Sequence, residues 1–145
     1  MKTQSGRSMI EMLGVLAIIG VLSVGGLMGY NRAMRSNRAN GAIYYVGTCM
    51  TLQRSRGNGI DADGPNNCLA LTGEAAVPGG LAADPACRRY ANGRTQCGVQ
   101  VQANLIDDVA LKLGFAAGGA ANFCLDSAVG ANNGWTQAAC VPPAP

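Results

Sequence analysis

The sequence predicts an α+β fold: a long N-terminal α-helix whose second half packs on a small antiparallel β-sheet, with a disulfide-stapled C-terminal region. Three observations lead there. Met12 to Tyr30 is a run of nineteen uncharged residues, and an apolar helical period continues beyond it. Apolar and polar residues then alternate over Cys97–Gln102, and two further strand-like stretches flank the turn residues Gly130–Gly134. Six cysteines, with no histidine, are spread from Cys49 to Cys140.

The first element begins after a short polar leader, residues 1–6. At about 1.5 Å of rise per residue, nineteen helical positions span roughly 28 Å, close to the hydrocarbon thickness of a bilayer. Glu11 stands just inside the apolar boundary. A carboxylate toward the middle of a bilayer costs on the order of 2.5–3.5 kcal/mol, and less near the interface. A plain anchor has no need of that acid. A secretory signal peptide would suit Lys2, Arg7 and a cleavage site at Ser23-Val24-Gly25, but Glu11 interrupts the approach to the core and the run is longer than such signals use.

Gly6, Glu11 five positions later, and the unbroken apolar stretch after it resemble the class III signal of type IV prepilins and pseudopilins. Gly20 and Tyr30 also fall where many pilins carry Gly and Tyr. The resemblance covers Gly6–Tyr30 and is loose beyond it. It implies that a prepilin peptidase cuts between Gly6 and Arg7 and methylates the new N-terminus. It also implies that Glu11 serves assembly by neutralising the α-amine of Arg7 on a neighbouring subunit, a pairing that is cheap only when both charges are buried together. Two departures are visible. Arg7 stands where the family usually has Phe, Met or Leu, and Gly25, Gly26 and Gly29 occupy the region where many members have Pro. Three glycines within five residues, each costing about 1 kcal/mol against Ala in a helix, predict a hinge that unwinds in a filament. The rival reading makes Gly25-x-x-x-Gly29 a close helix-packing motif that stays helical.

Residues 31–56 read as an amphipathic continuation of the helix. Ala39, Ile43, Val46 and Met50 recur at spacings of four, three and four and mark one face. Arg32, Arg35, Arg38 and Arg54 lie on other faces or near the ends, and Gly57-Asn58-Gly59 stops the helix. The globular region is 57–145. Its first part, to residue 95, is rich in Gly, Pro, Asn and Ala and reads as loops with short elements. Asp61-Ala-Asp63-Gly64 starts like a calcium loop, yet the later ligands of that pattern are missing, so it reads as a solvated acidic turn. Arg88-Arg89-Tyr90 with Arg94 mixes base and aromatic as nucleic-acid readers do, but it reads here as an exposed loop closed by Cys87 and Cys97.

Cys97, Val99 and Val101 alternate with polar or small neighbours, the period of a half-buried strand. A helix follows: Asn104 is positioned to cap it, Asp107 and Asp108 suit its first turn, Lys112 suits its last, and Leu105, Ile106, Val109 and Leu113 form its buried face before Gly114. Asn122–Val129 and Trp135–Val141 read as a hairpin around Asn133-Gly134. Centred on residue 132, that hairpin sets Cys124 opposite Cys140, and a bridge there closes a loop of about fifteen residues, worth roughly 3 kcal/mol. A disulfide-bounded C-terminal region is also what pilins share. For the other four cysteines, Cys87–Cys97 and Cys49–Cys68 make the shortest loops, among fifteen possible pairings of six. The tail Pro142-Pro143-Ala144-Pro145 cannot extend a ladder.

Composition narrows the function. Six cysteines without a close pair, and without His partners, argue against a zinc site and for three disulfides formed in an oxidising compartment. No cofactor is expected. With no His and no nucleophile motif, enzymatic activity is not expected either. Net charge is +3: residues 1–40 carry five bases and one acid, the remainder six bases and seven acids. A near-neutral globular region argues against nucleic acid as its main partner. Two bases precede the apolar run and three arginines follow it, so charge mildly favours a cytoplasmic globular region, while the cysteines place it outside.

The expectation is therefore a structural subunit of a type IV pilus-like filament. The precursor would lie in the bacterial inner membrane and the assembled form in an extracellular filament. Copies would polymerise through the apolar half of the helix, exchanging lipid for neighbouring helices. The family implies an assembly platform, an ATPase and a secretin as further partners. A type II secretion pseudopilin shares the N-terminus, although such proteins tend to be cysteine-poor, and the major one carries a calcium site not found here. The rival from another class is a membrane-tethered or secreted binding domain.

Overall fold

A computed structural model describes residues 7–56 and 66–142. Gly6, the stop signal Gly57-Asn58-Gly59, the acidic turn at Asp61–Gly64 and the end of the proline tail lie outside the described residues. The chain divides into two compact units, Met1–Met34 and Arg35–Pro145.

Helix α1 runs unbroken over Arg7–Ser55, with no interruption at Gly25, Gly26 or Gly29. In the first unit every side chain from Ser8 to Ala33 is exposed, including Met9, Ile10, Leu13, Leu16, Ile19 and Leu22. By length and composition this helix can cross a membrane.

In the second unit α1 buries Ala39, Ala42, Tyr45, Val46, Cys49, Met50 and Gln53, the three-to-four spacing of a helix face. The predicted face was Ala39, Ile43, Val46 and Met50; Ile43 turns out half-buried at its margin, and Ala42 and Cys49 share its centre. The core continues into a five-stranded sheet whose strands follow chain order and pair antiparallel throughout: β1 (Asn66–Asn67), β2 (Ala86–Arg89), β3 (Thr95–Gln100), β4 (Asn122–Asp126) and β5 (Trp135–Thr136). Val99 and Val101 from the β3 side, with Phe123 and Leu125 from β4, join Trp135 in one apolar cluster with the α1 face. The α+β architecture read from the sequence is the one observed.

Two short helices fill the edges. Helix α2 (Cys68–Thr72) is closed by Gly73 in the left-handed conformation, and the backbone amide of Leu69 donates to the Asp84 carboxylate. Helix α3 (Ile106–Lys112) follows a 3-10 turn at Ala103–Leu105, with Asp107 and Asp108 in its first turn and Lys112 in its last. Asn104 makes no capping bond and is exposed, and Ile106 and Leu113 are only half-buried. Leu105, Val109 and Ala110 form the buried face instead. Gly80 is required where the chain passes α1: with φ +118°, a Cβ there would lie 3.0 Å from Leu105 Cδ1 and 3.3 Å from the Arg38 carbonyl oxygen.

Two expectations are corrected. The stretch from Cys87 to Cys97 is a hairpin of two sheet strands joined by residues 90–94, not an exposed loop. The last hairpin is shorter and differently registered. Cys124 faces Thr136 and Leu125 faces Trp135, so Cys140 is not opposite Cys124, and the strands end at Asp126 and Thr136. The turn signal was sound in kind: Asn132 and Asn133 adopt left-handed φ of 47° and 54°.

Candidate functional site: the exposed apolar helix and the stapled sheet

Side chains that bear on function fall into two groups, one in each unit. In the first, Glu11 lies one turn after Arg7, where the described part of α1 begins, on the otherwise uncharged and exposed stretch Ser8–Tyr30. Gly14, Gly20, Gly25, Gly26 and Gly29 are helical, and a Cβ added at any of them would meet nothing within 4 Å. No neighbour among the described residues explains why five glycines stand where Ala would favour the helix by about 1 kcal/mol each.

The second group lies on the sheet. The expected disulfide pairings are those observed: Cys49–Cys68, Cys87–Cys97 and Cys124–Cys140, with Cα–Cα distances of 5.5, 4.0 and 5.1 Å. The first ties α1 to α2 inside the core. The second joins directly opposed residues of β2 and β3. The third is different in kind. Along β4, Phe123 and Leu125 point into the core, so Cys124 and Asp126 point to the other face of the sheet. Cys140 therefore reaches Cys124 from above that face, and the segment 138–141 lies across it as a strap. Gln96 Nε2 fixes the end of the strap by donating to the Val141 carbonyl at 3.0 Å.

Beneath the strap is a charged centre that sequence reasoning missed. Asp126 accepts from Arg94 Nε at 2.9 Å on both oxygens, and from Arg94 Nη2, Gln96 Nε2 at 2.8 Å and the Ala128 amide at 2.9 Å. The Tyr90 hydroxyl holds Gln96 Oε1 at 3.1 Å. Burial alone would push the Asp126 carboxyl up, but these hydrogen bonds and the Arg94 charge outweigh it and lower the pKa to about 2. Arg94 is correspondingly raised, chiefly through its hydrogen bond to Asp126. The one available signal was a lone acid inside the apolar strand Phe123-Cys124-Leu125-Asp126, since a carboxylate there needs a cation. No protein-family model matches this chain, and no curated protein or solved structure does so either.

Proposed function

We propose that the chain is a subunit of a type IV pilus-like filament, processed after Gly6 and polymerised through the first part of α1. The observation that carries this reading is the wholly exposed apolar helix: Met12 to Tyr30 has no charge and no burial, with one acid, Glu11, at its edge. Such a surface does not remain in water; it takes lipid or copies of itself. The five glycines with open space beside them favour helices as the eventual neighbours, because small residues let backbones approach closely.

In this mechanism the apolar half of α1 first lies in the inner membrane, with the disulfide-bonded unit on the oxidising side. Assembly exchanges lipid for neighbouring α1 helices and keeps the same surface dry. Glu11 then meets the α-amine of Arg7 on the adjacent subunit, and the two charges compensate one another in an apolar surround. Prepilin peptidase, an assembly platform, an ATPase and a secretin would act on the chain from outside it. The three disulfides and the strapped sheet suit a subunit that survives outside the cell without chaperones. A type II secretion pseudopilin is the alternative with the same N-terminus, and a membrane-tethered binding domain the alternative without polymerisation.

The test is negative-stain microscopy of sheared cell-surface material from cells producing the chain, with an antibody to the globular unit. Labelled thin filaments support the proposal. Label confined to membranes, with no filament, supports the tethered domain.

A further inference from the structure

After Glu11 the chain carries no acid until Asp61, yet it carries five arginines in that interval. Three of them, Arg32, Arg35 and Arg38, follow directly on the uncharged run at three-residue spacing. In a helix, steps of three residues turn through 300°, so the three occupy one arc of about 120°. All three are exposed, and none has an ion pair or side-chain hydrogen bond among the described residues. Arg38 lies beside Gly79, which offers no charge. Three exposed cations without an ion pair among the described residues, on a stretch of α1 that carries no acid after Glu11, present a positive face to any anionic surface outside the chain.

We infer that Arg32, Arg35 and Arg38 form a clamp for anionic phospholipid headgroups, engaged while the apolar part of α1 is in the membrane. The inference rests on the membrane stage of the proposed function and not on polymerisation. Position argues for lipid. At about 1.5 Å per residue, Arg32 begins roughly 3 Å, Arg35 roughly 7.5 Å and Arg38 roughly 12 Å beyond Tyr30. The headgroup layer is about 5–8 Å deep on each side of the hydrocarbon, so Arg32 and Arg35 start within it and Arg38 meets it only by reaching back. Helical side chains also lean toward the helix N-terminus, so these guanidinium groups are directed back toward the apolar run rather than away from it. Arginine suits the ligand, since its planar fork takes two phosphate oxygens at once. A second copy of the chain is a poorer candidate, because its residues 41–145 carry six bases against seven acids and so give it no strong net negative charge. The clamp also accounts for three arginines on the side of the run where the positive-inside rule disfavours them, by giving them a role there.

The full chain in detergent is mixed with equimolar phosphatidylglycerol and phosphatidylcholine, which share the phosphate but differ in net charge. Native mass spectrometry counts the retained lipids. Each interfacial arginine contributes about fivefold, so preference for phosphatidylglycerol on the order of a hundredfold is expected at low salt, falling as salt rises. The triple variant Arg32→Gln/Arg35→Gln/Arg38→Gln loses the preference, and the triple Lys variant keeps most of it. Unchanged emission from Trp135 shows that the globular unit remains folded in both. Equal retention of the two lipids by the native chain overturns the inference, as does a preference that survives in the Gln variant. Displacement of phosphatidylglycerol by oligo-dT or polyglutamate at matched charge also overturns it, since the arginines would then be a general anion-binding face. Filament formation plays no part in this readout, so failure here and failure of the pilus reading are separately visible.

Discussion

Replacing Asp126 by Asn keeps the shape of the side chain under the strap and removes its charge. Asp126 is 4% exposed and Arg94 27%, so the pair lies between the exposed and the fully buried cases. Losing one partner of a fully buried pair costs about 3–5 kcal/mol, whereas exposed pairs are worth about 0–1. The lowering of the carboxyl from 3.8 to about 2, which also includes the Gln96 and Ala128 hydrogen bonds, corresponds to about 2 kcal/mol and falls between those cases. Both point to a loss of about 2 kcal/mol at pH 7 for Asp126→Asn. The sign with pH follows from a folded pKa below the unfolded one. The stabilisation is fully present above the unfolded value near 4 and is lost as pH falls toward and through 2. The assay is urea unfolding of the disulfide-intact chain in detergent, followed by Trp135. This is the only tryptophan, and it sits buried opposite Leu125, one residue from Asp126. The difference between native and variant chains should shrink steadily from pH 5 to pH 2. A variant within about 0.5 kcal/mol of the native chain at pH 7 contradicts the reasoning, and so does a difference that does not change with pH.

Cys124→Ser with Cys140→Ser opens a loop with a sequence separation of 16. It should cost about 3 kcal/mol in the same assay and make the end of the chain accessible to carboxypeptidase, while the β2–β3 bridge remains. Gly80→Ala forces a side chain into φ +118° against Leu105 and the Arg38 carbonyl, and should cost about 1–3 kcal/mol. Gly93→Ala, with its φ of +82° but open space, isolates the backbone part of that cost. Glu11→Ala should leave the globular unit folded and oxidised and the leader cleaved, yet yield few or no filaments, because the Arg7 amine of each added subunit would be buried alone at about 3–5 kcal/mol. Filament counts with immunoblots of processed subunit check this, and normal filament numbers would make Glu11 an incidental boundary acid.

What could be read from the sequence was whatever had a period. The α1 core face and the alternation at Cys97, Val99 and Val101 are set by burial on one side, so their apolar spacing carries the geometry. Strand β2 carried no such mark. Of Ala86-Cys87-Arg88-Arg89 only Cys87 is buried, and two adjacent arginines look like a loop. Its strand state comes from pairing with β3, a tertiary cause. The segment Ala138–Val141 failed in the opposite way: its apolar residues suggested a continuing strand, although they serve as a strap over the sheet. Directly opposed residues share a face, and Thr136 already faces Cys124. The pairing of Cys124 with Cys140 was thus right while the hairpin register behind it was wrong. The Asp126–Arg94 centre joins residues 32 apart through two strands, and only the oddity of an acid in an apolar strand hinted at it. Gly25–Gly29 is helical in the single chain; the expected unwinding concerns the proposed filament, and a map of such an assembly would decide it.

Intact-mass measurement of the cell-surface form asks directly whether this chain is processed as a filament subunit. A mature protein beginning at Arg7, heavier than the unmodified peptide by one CH2 for the N-methyl group and six hydrogens lighter for three disulfides, is the expected result. A protein beginning at Met1, or near Gly26 after cleavage at Ser23-Val24-Gly25, would contradict the filament reading and leave a tethered or secreted domain in its place.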